Sequence, residues 1–195
     1  MKIGLYFGSF NPIHTGHLII ASYVQQNTQL DQVWFIVSPQ NPLKTSAGLL
    51  NEYHRLYLVQ IALEGEEQRL KASDIEFRLP KPSFTVTTMA YLHEKYPEHI
   101  FSILLGSDGF QNINRWKNYT HLLENYEFYI YPRPGHEIKE KMSGKRIHTV
   151  SAPLLDISAT RIRELIKNGR SIRFLVPDKV KEEIEANNYY KQTNN

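Results

Sequence analysis

Two histidines three residues apart, His14 and His17, close the opening stretch MKIGLYFGSFNPIHTGH. Imidazoles donate hydrogen bonds and titrate near neutrality, so a pair beside a loop of small residues suits work on an anion. The loop Gly8-Ser9-Phe10-Asn11-Pro12 breaks an apolar run, Ile3 to Phe7, and Gly16 precedes a helical pattern that starts at Leu18. Loop amides followed by a helix N-terminus make a ready anion site. The stretch is neither G-x-G-x-x-G nor a glycine loop followed by G-K-[ST], so it is not one of the common phosphate-binding fingerprints. A second cluster stands about 140 residues later, at a predicted helix start: Ser158, Thr160 and Arg163. Two hydroxyls and a guanidinium there suit a further anion. Lys44, Thr85, Asp108, Trp116 and Arg133 complete the candidates, and most carry a plainer alternative. Asp108 could cap the helix after it, Trp116 could be a core aromatic, and Arg133, between two prolines, could be a surface turn. The other six histidines lack such a context and read as surface residues.

The elements that must position these groups alternate between two periods. Ile3–Phe7, Gln32–Ser38 and Ile100–Leu105 are apolar runs ended by Gly or Pro, as buried strands are. Leu70–Phe77 alternates like a half-exposed strand, Glu127–Tyr131 is a short strand, and Ile147–Val150 is a last one. Helical spacing runs over Leu18–Thr28, Asn51–Leu63, Thr85–Tyr96, Ile157–Ile166 and Asp178–Ala186. A further helix is expected to carry Ile113, Trp116 and Tyr119. Asn51 and either Ser83 or Thr85 are the expected N-caps of their helices. Leu56, Val59, Ile61 and Leu63 are the expected apolar face of the second helix. Such alternation implies βαβ units, hence an α/β fold: a Rossmann-like, doubly wound, mostly parallel sheet with helices on both faces. Ligands of that architecture sit beyond the carboxyl ends of the strands. The Ser9–His17 segment, Lys44, Asp108 and Arg133 all fall there, and Ser158–Arg163 adds a helix N-terminus.

Composition narrows the rest. A chain of 195 residues with 41% hydrophobic and 22% charged residues suits one domain, expected over 1–190, with 191–195 as a frayed tail and fraying from Asn187. A net charge of +3 fits an anionic small molecule as well as nucleic acid, but no Arg/Lys run marks a polynucleotide-binding arm. With no cysteine, disulfides, thiolate catalysis and Cys-ligated zinc are excluded. No window approaches the ~20 apolar residues of a membrane helix, and the N-terminus does not read as a signal peptide. A cytoplasmic protein without membrane or polynucleotide partners is the expectation; the sequence does not indicate an oligomeric state.

The stretch Gly8-Ser9-Phe10-Asn11-Pro12-Ile13-His14-Thr15-Gly16-His17 resembles the first signature of the nucleotidylyltransferase superfamily, which ends in His-x-Gly-His. Ile157-Ser158-x-Thr160-x-x-Arg163 resembles the second, Ile-Ser-x-Thr-x-x-Arg, in the expected order. Within the superfamily the chain is most similar to the bacterial nicotinate-nucleotide adenylyltransferases. The similar segments are the proline-containing loop Pro39–Lys44, Pro82-Ser83-Phe84-Thr85, Gly106-x-Asp108 followed by Trp116, and Arg133-Pro134-Gly135. Two positions depart from the pattern: Asn11 stands where Asp is usual, and Leu43 where His often precedes the Lys.

The resemblance implies an adenylyl transfer from ATP to nicotinate mononucleotide in NAD synthesis, giving nicotinate adenine dinucleotide and pyrophosphate. It implies His14, His17, Lys44 and Arg163 as catalytic groups. Gly8, Ser9, Phe10, Gly16, Ser158, Thr160 and Arg163 would face the ATP phosphates, and Thr85, Asp108, Trp116 and Arg133 would hold the acceptor. Mg²⁺ is expected through the ATP phosphates rather than in a protein cage. The nucleophile is already an anion, so positioning and charge neutralisation suffice, and no covalent enzyme intermediate is expected. The alternatives are nicotinamide mononucleotide as acceptor, or a non-catalytic nucleotide-binding regulator of the same fold.

Overall fold

The computed structural model describes residues 1–42, 48–137 and 146–191. Leu43 and Lys44 lie outside the described residues, as do 192–195 of the expected tail. Six strands form one sheet: β1 (Lys2–Gly8), β2 (Gln32–Val37), β3 (Leu70–Ser73), β4 (Ile100–Gly106), β5 (Glu127–Tyr131) and β6 (Ile147–Thr149). The order is β3-β2-β1-β4-β5-β6 and every paired neighbour is parallel. That is the doubly wound arrangement, with its direction reversing between β1 and β4.

Among the described residues seven α-helices connect and cover the strands: α1 (Thr15–Asn27), α2 (Glu52–Ala62), α3 (Thr85–Lys95), α4 (Ser107–Gln111), α5 (Tyr119–Asn125), α6 (Ala159–Lys167) and α7 (Asp178–Ala186). Side chains alternate across β1, and they divide the core accordingly. Tyr6 joins Ala21, Val24, Leu58, Val59, Ile162 and Val180 under α1, α2, α6 and α7. Ile3 and Leu5 join Met89, Leu92, Phe110 and Leu122 under α3, α4 and α5. The central strands are apolar on both faces because both faces are covered.

Several expectations need correction. The strand expected over Leu70–Phe77 ends at Ser73, and Ile75–Arg78 form a turn of 3-10 helix that buries Ile75 and Glu76. β3 is an edge strand paired only with β2, so nothing holds the chain extended beyond Ser73. The single helix expected around Ile113–Tyr119 is broken into α4, a 3-10 turn at Ile113–Arg115, and α5. Trp116 is extended and Asn118 takes a left-handed conformation (φ 52°), which interrupts the helix at the indole. Asn51 caps α2 as expected, accepting from the Tyr53 N–H at 2.9 Å, but Phe84 rather than Ser83 or Thr85 occupies the N-cap of α3. On α2 the expected face is inward, with Val59 and Leu63 buried and Leu56 and Ile61 packed partly against the core, but it is wider than expected, because Arg55 and Leu58 are fully buried as well. The end of the chain is not frayed from Asn187. Tyr189 and Tyr190 fold back against the core, and the Tyr189 hydroxyl meets His54 Nδ1 at 2.8 Å.

Candidate active site

The carboxyl ends of β1 and β4 diverge at the reversal of strand order, and a cavity of about 1010 Å³ opens above them. It is lined by Gly8, Ser9, Phe10, His14, His17, Thr85, Asp108, Trp116, Arg133, Ser158, Thr160 and Arg163. Of the expected site residues, Lys44 lies outside the described residues. Gly16 lies behind the cavity: a Cβ on it would stand 3.1 Å from His14 Nδ1, so its lack of a side chain lets the imidazole lie against α1.

His14 is the N-cap of α1 and is buried. Burial, helped by the positive charge of Arg133, lowers its pKa to about 4, so the ring is neutral at physiological pH. Its Nδ1 is buried without a hydrogen-bond partner among the described residues. His17 stacks on it, with ring centroids 3.6 Å apart and planes at 23°. The His14 backbone N–H donates to His17 Nδ1 at 3.3 Å, so a neutral His17 carries its proton on Nε2. Phe10 and Tyr6 meet the His17 ring edge-on, at 5.1 and 5.9 Å between centroids, and fix its plane. Phe10 itself is a core residue, so it reaches the cavity through its backbone.

The second cluster meets the first at the same place. Ser158 caps α6, accepting from the Arg161 N–H at 3.2 Å. Arg163 lies one turn on, and its Nη1 donates to the Asn11 carbonyl at 2.8 Å while Nη2 reaches Thr160 Oγ1 at 3.3 Å. Arg161, at the variable position of the signature, makes only an exposed ion pair with Glu164.

Asp108 sits in the first turn of α4, whose N-cap position is taken by Gly106, and also lines the cavity. A Cβ on Gly106 would lie 2.4 Å from Asp108 Oδ1 and 2.8 Å from Arg133 Cγ, so the glycine leaves room for both side chains over the end of β4. Ser107 Oγ accepts from the Arg133 backbone N–H at 2.9 Å and donates to the His136 carbonyl at 2.6 Å, which holds the turn after β5. Trp116 packs partly against the core and also lines the cavity. Thr85 opens α3, an eleven-residue helix whose N-terminus borders the cavity without a side-chain cap.

Three groups escaped sequence reasoning. The Tyr6 and Tyr131 hydroxyls meet at 2.8 Å on the cavity floor, with both pKa values raised by burial. Glu76 is buried at the cavity edge, where burial raises its pKa and Thr88 Oγ1 donates to it at 2.8 Å. Arg55 is wholly buried in α2. The sequence carries one usable signal for these, a charged residue between apolar ones, and that pattern ordinarily marks an exposed face.

Asn11 stands where an Asp was expected, and its partners explain the amide. Nδ2 donates to the Gly48 carbonyl at 3.0 Å and Oδ1 accepts from the Leu50 N–H at 3.1 Å. A carboxylate could accept from Leu50 but would face the Gly48 carbonyl with a second acceptor.

Residues 5–165 match the cytidylyltransferase-like family model, and the class is thereby defined: a nucleotidyltransferase built on a doubly wound sheet. A relative from Flavobacterium psychrophilum named probable nicotinate-nucleotide adenylyltransferase is 48% identical over 194 residues, covering 98% of this chain and 100% of its own. One of the same name from Cytophaga hutchinsonii is 48% identical over 190 residues, covering 97% and 98%. The chain belongs to this family of nicotinate-nucleotide adenylyltransferases. The fold is shared with nicotinic acid mononucleotide adenylyltransferase from Plasmodium falciparum, solved in complexes with NaAD and with APC. At 20% identity these match with TM-scores of 0.83 and 0.82 over 97% of this chain.

Proposed function

We propose that this protein transfers the adenylyl group of ATP to nicotinate mononucleotide, releasing pyrophosphate and forming nicotinate adenine dinucleotide. The observation that carries the reading is a single cavity lined by two chemically different sets of groups. His14, His17, Ser158, Thr160 and Arg163 offer donors to a polyphosphate, and Asp108, Trp116, Thr85 and Arg133 suit a nucleotide acceptor. Held together, the acceptor phosphate oxygen attacks the α-phosphorus in line, and the bond to the bridging oxygen of the β-phosphate breaks.

His17, through its Nε2 proton, and Arg163 stabilise charge on the transferring and leaving phosphoryl groups. His14, neutral and buried, holds the plane of His17 and the start of α1. The indole of Trp116 stacks on the pyridine ring, Asp108 accepts from ribose hydroxyls, and Arg133 adds positive charge beside the acceptor. Amides at the open N-terminus of α3, beginning at Thr85, receive the nicotinate carboxylate. Such donors serve a neutral carboxamide less well, and this favours the acid over the amide. Lys44 is our further candidate for the polyphosphate set.

Among the described residues no three of His, Cys, Asp and Glu gather as metal ligands. We place Mg²⁺ on the ATP oxygens, where it would neutralise phosphate charge. No helix among the described residues is long and apolar enough to cross a membrane. A cysteine-free chain acting on ATP and a mononucleotide suits the cytoplasm, and that is our placement.

The test is direct. The purified protein is incubated with ATP, Mg²⁺ and either nicotinate or nicotinamide mononucleotide, and pyrophosphate and dinucleotide are followed. Equal amounts of both products with the acid acceptor are expected. No product from either acceptor contradicts the enzyme reading, and faster turnover of the amide contradicts the choice of acceptor.

A further inference from the structure

Arg55 is a buried charge without a direct ion pair: among the described residues none of the ion pairs includes it, and the nearby Glu52 carboxylate acts on it only through its field. Its guanidinium donates instead to four backbone carbonyls. Nε reaches Leu50 at 2.7 Å, Nη1 reaches Ser9 at 2.6 Å and Ser38 at 2.8 Å, and Nη2 reaches Pro39 at 3.2 Å. These carbonyls belong to the segments that leave β1 and β2 and to the approach to α2. One planar fork thus ties together the two loops that border the cavity.

The consequence follows from peptide geometry. In a planar trans peptide the N–H points opposite to the C=O. With the Ser9 carbonyl drawn onto Arg55, the N–H of Phe10 is turned the other way, toward the side on which Ser9 and Phe10 line the cavity. The Pro39 carbonyl turns the Gln40 N–H in the same sense, and Gln40 also lines the cavity. Phe10 has φ 44°, a left-handed conformation that a non-glycine residue rarely adopts. It is held there from both sides, by Arg55 on the Ser9 carbonyl and by Arg163 on the Asn11 carbonyl.

We propose that Arg55 is a positioning residue for phosphate binding: it turns the Ser9–Phe10 peptide so that the Phe10 N–H is a phosphate donor. Its buried positive charge, only partly offset by Glu52, adds to the attraction for the anion. This rests on the reading of the cavity as a nucleotide site. Lysine keeps the charge but lacks the fork, so Arg55→Lys separates charge from geometry.

Arg55→Lys and Arg55→Met are compared with the wild type for folding by circular dichroism, for kcat/KM of ATP and of the acceptor, and for pyrophosphate affinity by calorimetry. Folded Arg55→Lys is expected to lose roughly 100-fold in kcat/KM for ATP and in pyrophosphate affinity, with the acceptor KM nearly unchanged. A folded Arg55→Lys with wild-type ATP kinetics overturns the proposal. Should neither variant fold, the wild type decides by amide NMR under pyrophosphate titration. Slowed exchange and a shifted resonance at the Phe10 N–H are expected. A response at His17 without one at Phe10 overturns the role of Arg55 alone, whereas no response at either residue overturns the nucleotide reading with it.

Discussion

At the scale of single residues, the two histidines and the Ser158–Arg163 group could be read from the chain because their types and spacing are unusual in themselves. Arg55 and Glu76 could not, because what makes them matter is burial among partners from distant loops. Asn11 lies between these cases: the departure from Asp was visible, and its reason, a carbonyl at Gly48 that needs a donor, was not. Asn11→Asp loses that donor and places a negative charge beside the phosphates. We expect the KM for ATP to rise about tenfold, with the acceptor KM little changed, in steady-state kinetics. His17→Ala should lower kcat far more than it weakens acceptor binding, whereas Trp116→Ala should mainly raise the acceptor KM. The reverse pattern would mean that the two sets are exchanged. His14 adds a pH prediction. Its folded pKa of about 4 lies below the ordinary 6.5, so the unfolded chain binds the proton more tightly. Its contribution is present above pH 6.5 and is lost as pH falls toward 4, by roughly 3 kcal/mol for a shift of this size. Urea denaturation from pH 8 to 4 should show this loss in the wild type and a smaller one in His14→Asn.

At the scale of elements, period and punctuation located the strands and most helices because the sheet is covered on both faces and its central strands are apolar. The errors fall where an element ends to serve the site. β3 stops at Ser73 so that Glu76 can turn inward, and the helix expected at Ile113–Tyr119 breaks so that Trp116 can reach the cavity. Local pattern cannot show such breaks, since the residues are equally compatible with continuation. Gly106 tests the junction of β4 and α4. Gly106→Ala would drive a methyl group into Asp108 and the Arg133 stem. We expect a raised acceptor KM and a stability loss of roughly 1–3 kcal/mol, read by kinetics and by denaturation. An unaltered KM would detach Asp108 and Arg133 from the acceptor set.

At the scale of the molecule, alternation of strands and helices was enough to place the ligand beyond the carboxyl ends of the strands, because parallel sheets impose that topology. It could not supply the strand order β3-β2-β1-β4-β5-β6, nor show that the end of the chain folds back on α2. The order matters because it brings the two signatures, about 140 residues apart in sequence, to the same cavity as the proposed acceptor groups. A ligand that spans both sets of groups gains from each. Nicotinate adenine dinucleotide should therefore raise the melting temperature more than an equal concentration of either AMP or nicotinate mononucleotide. Both substrates in one cavity also imply direct transfer, with no adenylated side chain between them. ATP made chiral at the α-phosphorus by a sulfur substituent measures this in one experiment. Dinucleotide with inverted configuration is the result predicted; retained configuration, or no dinucleotide, would contradict the account.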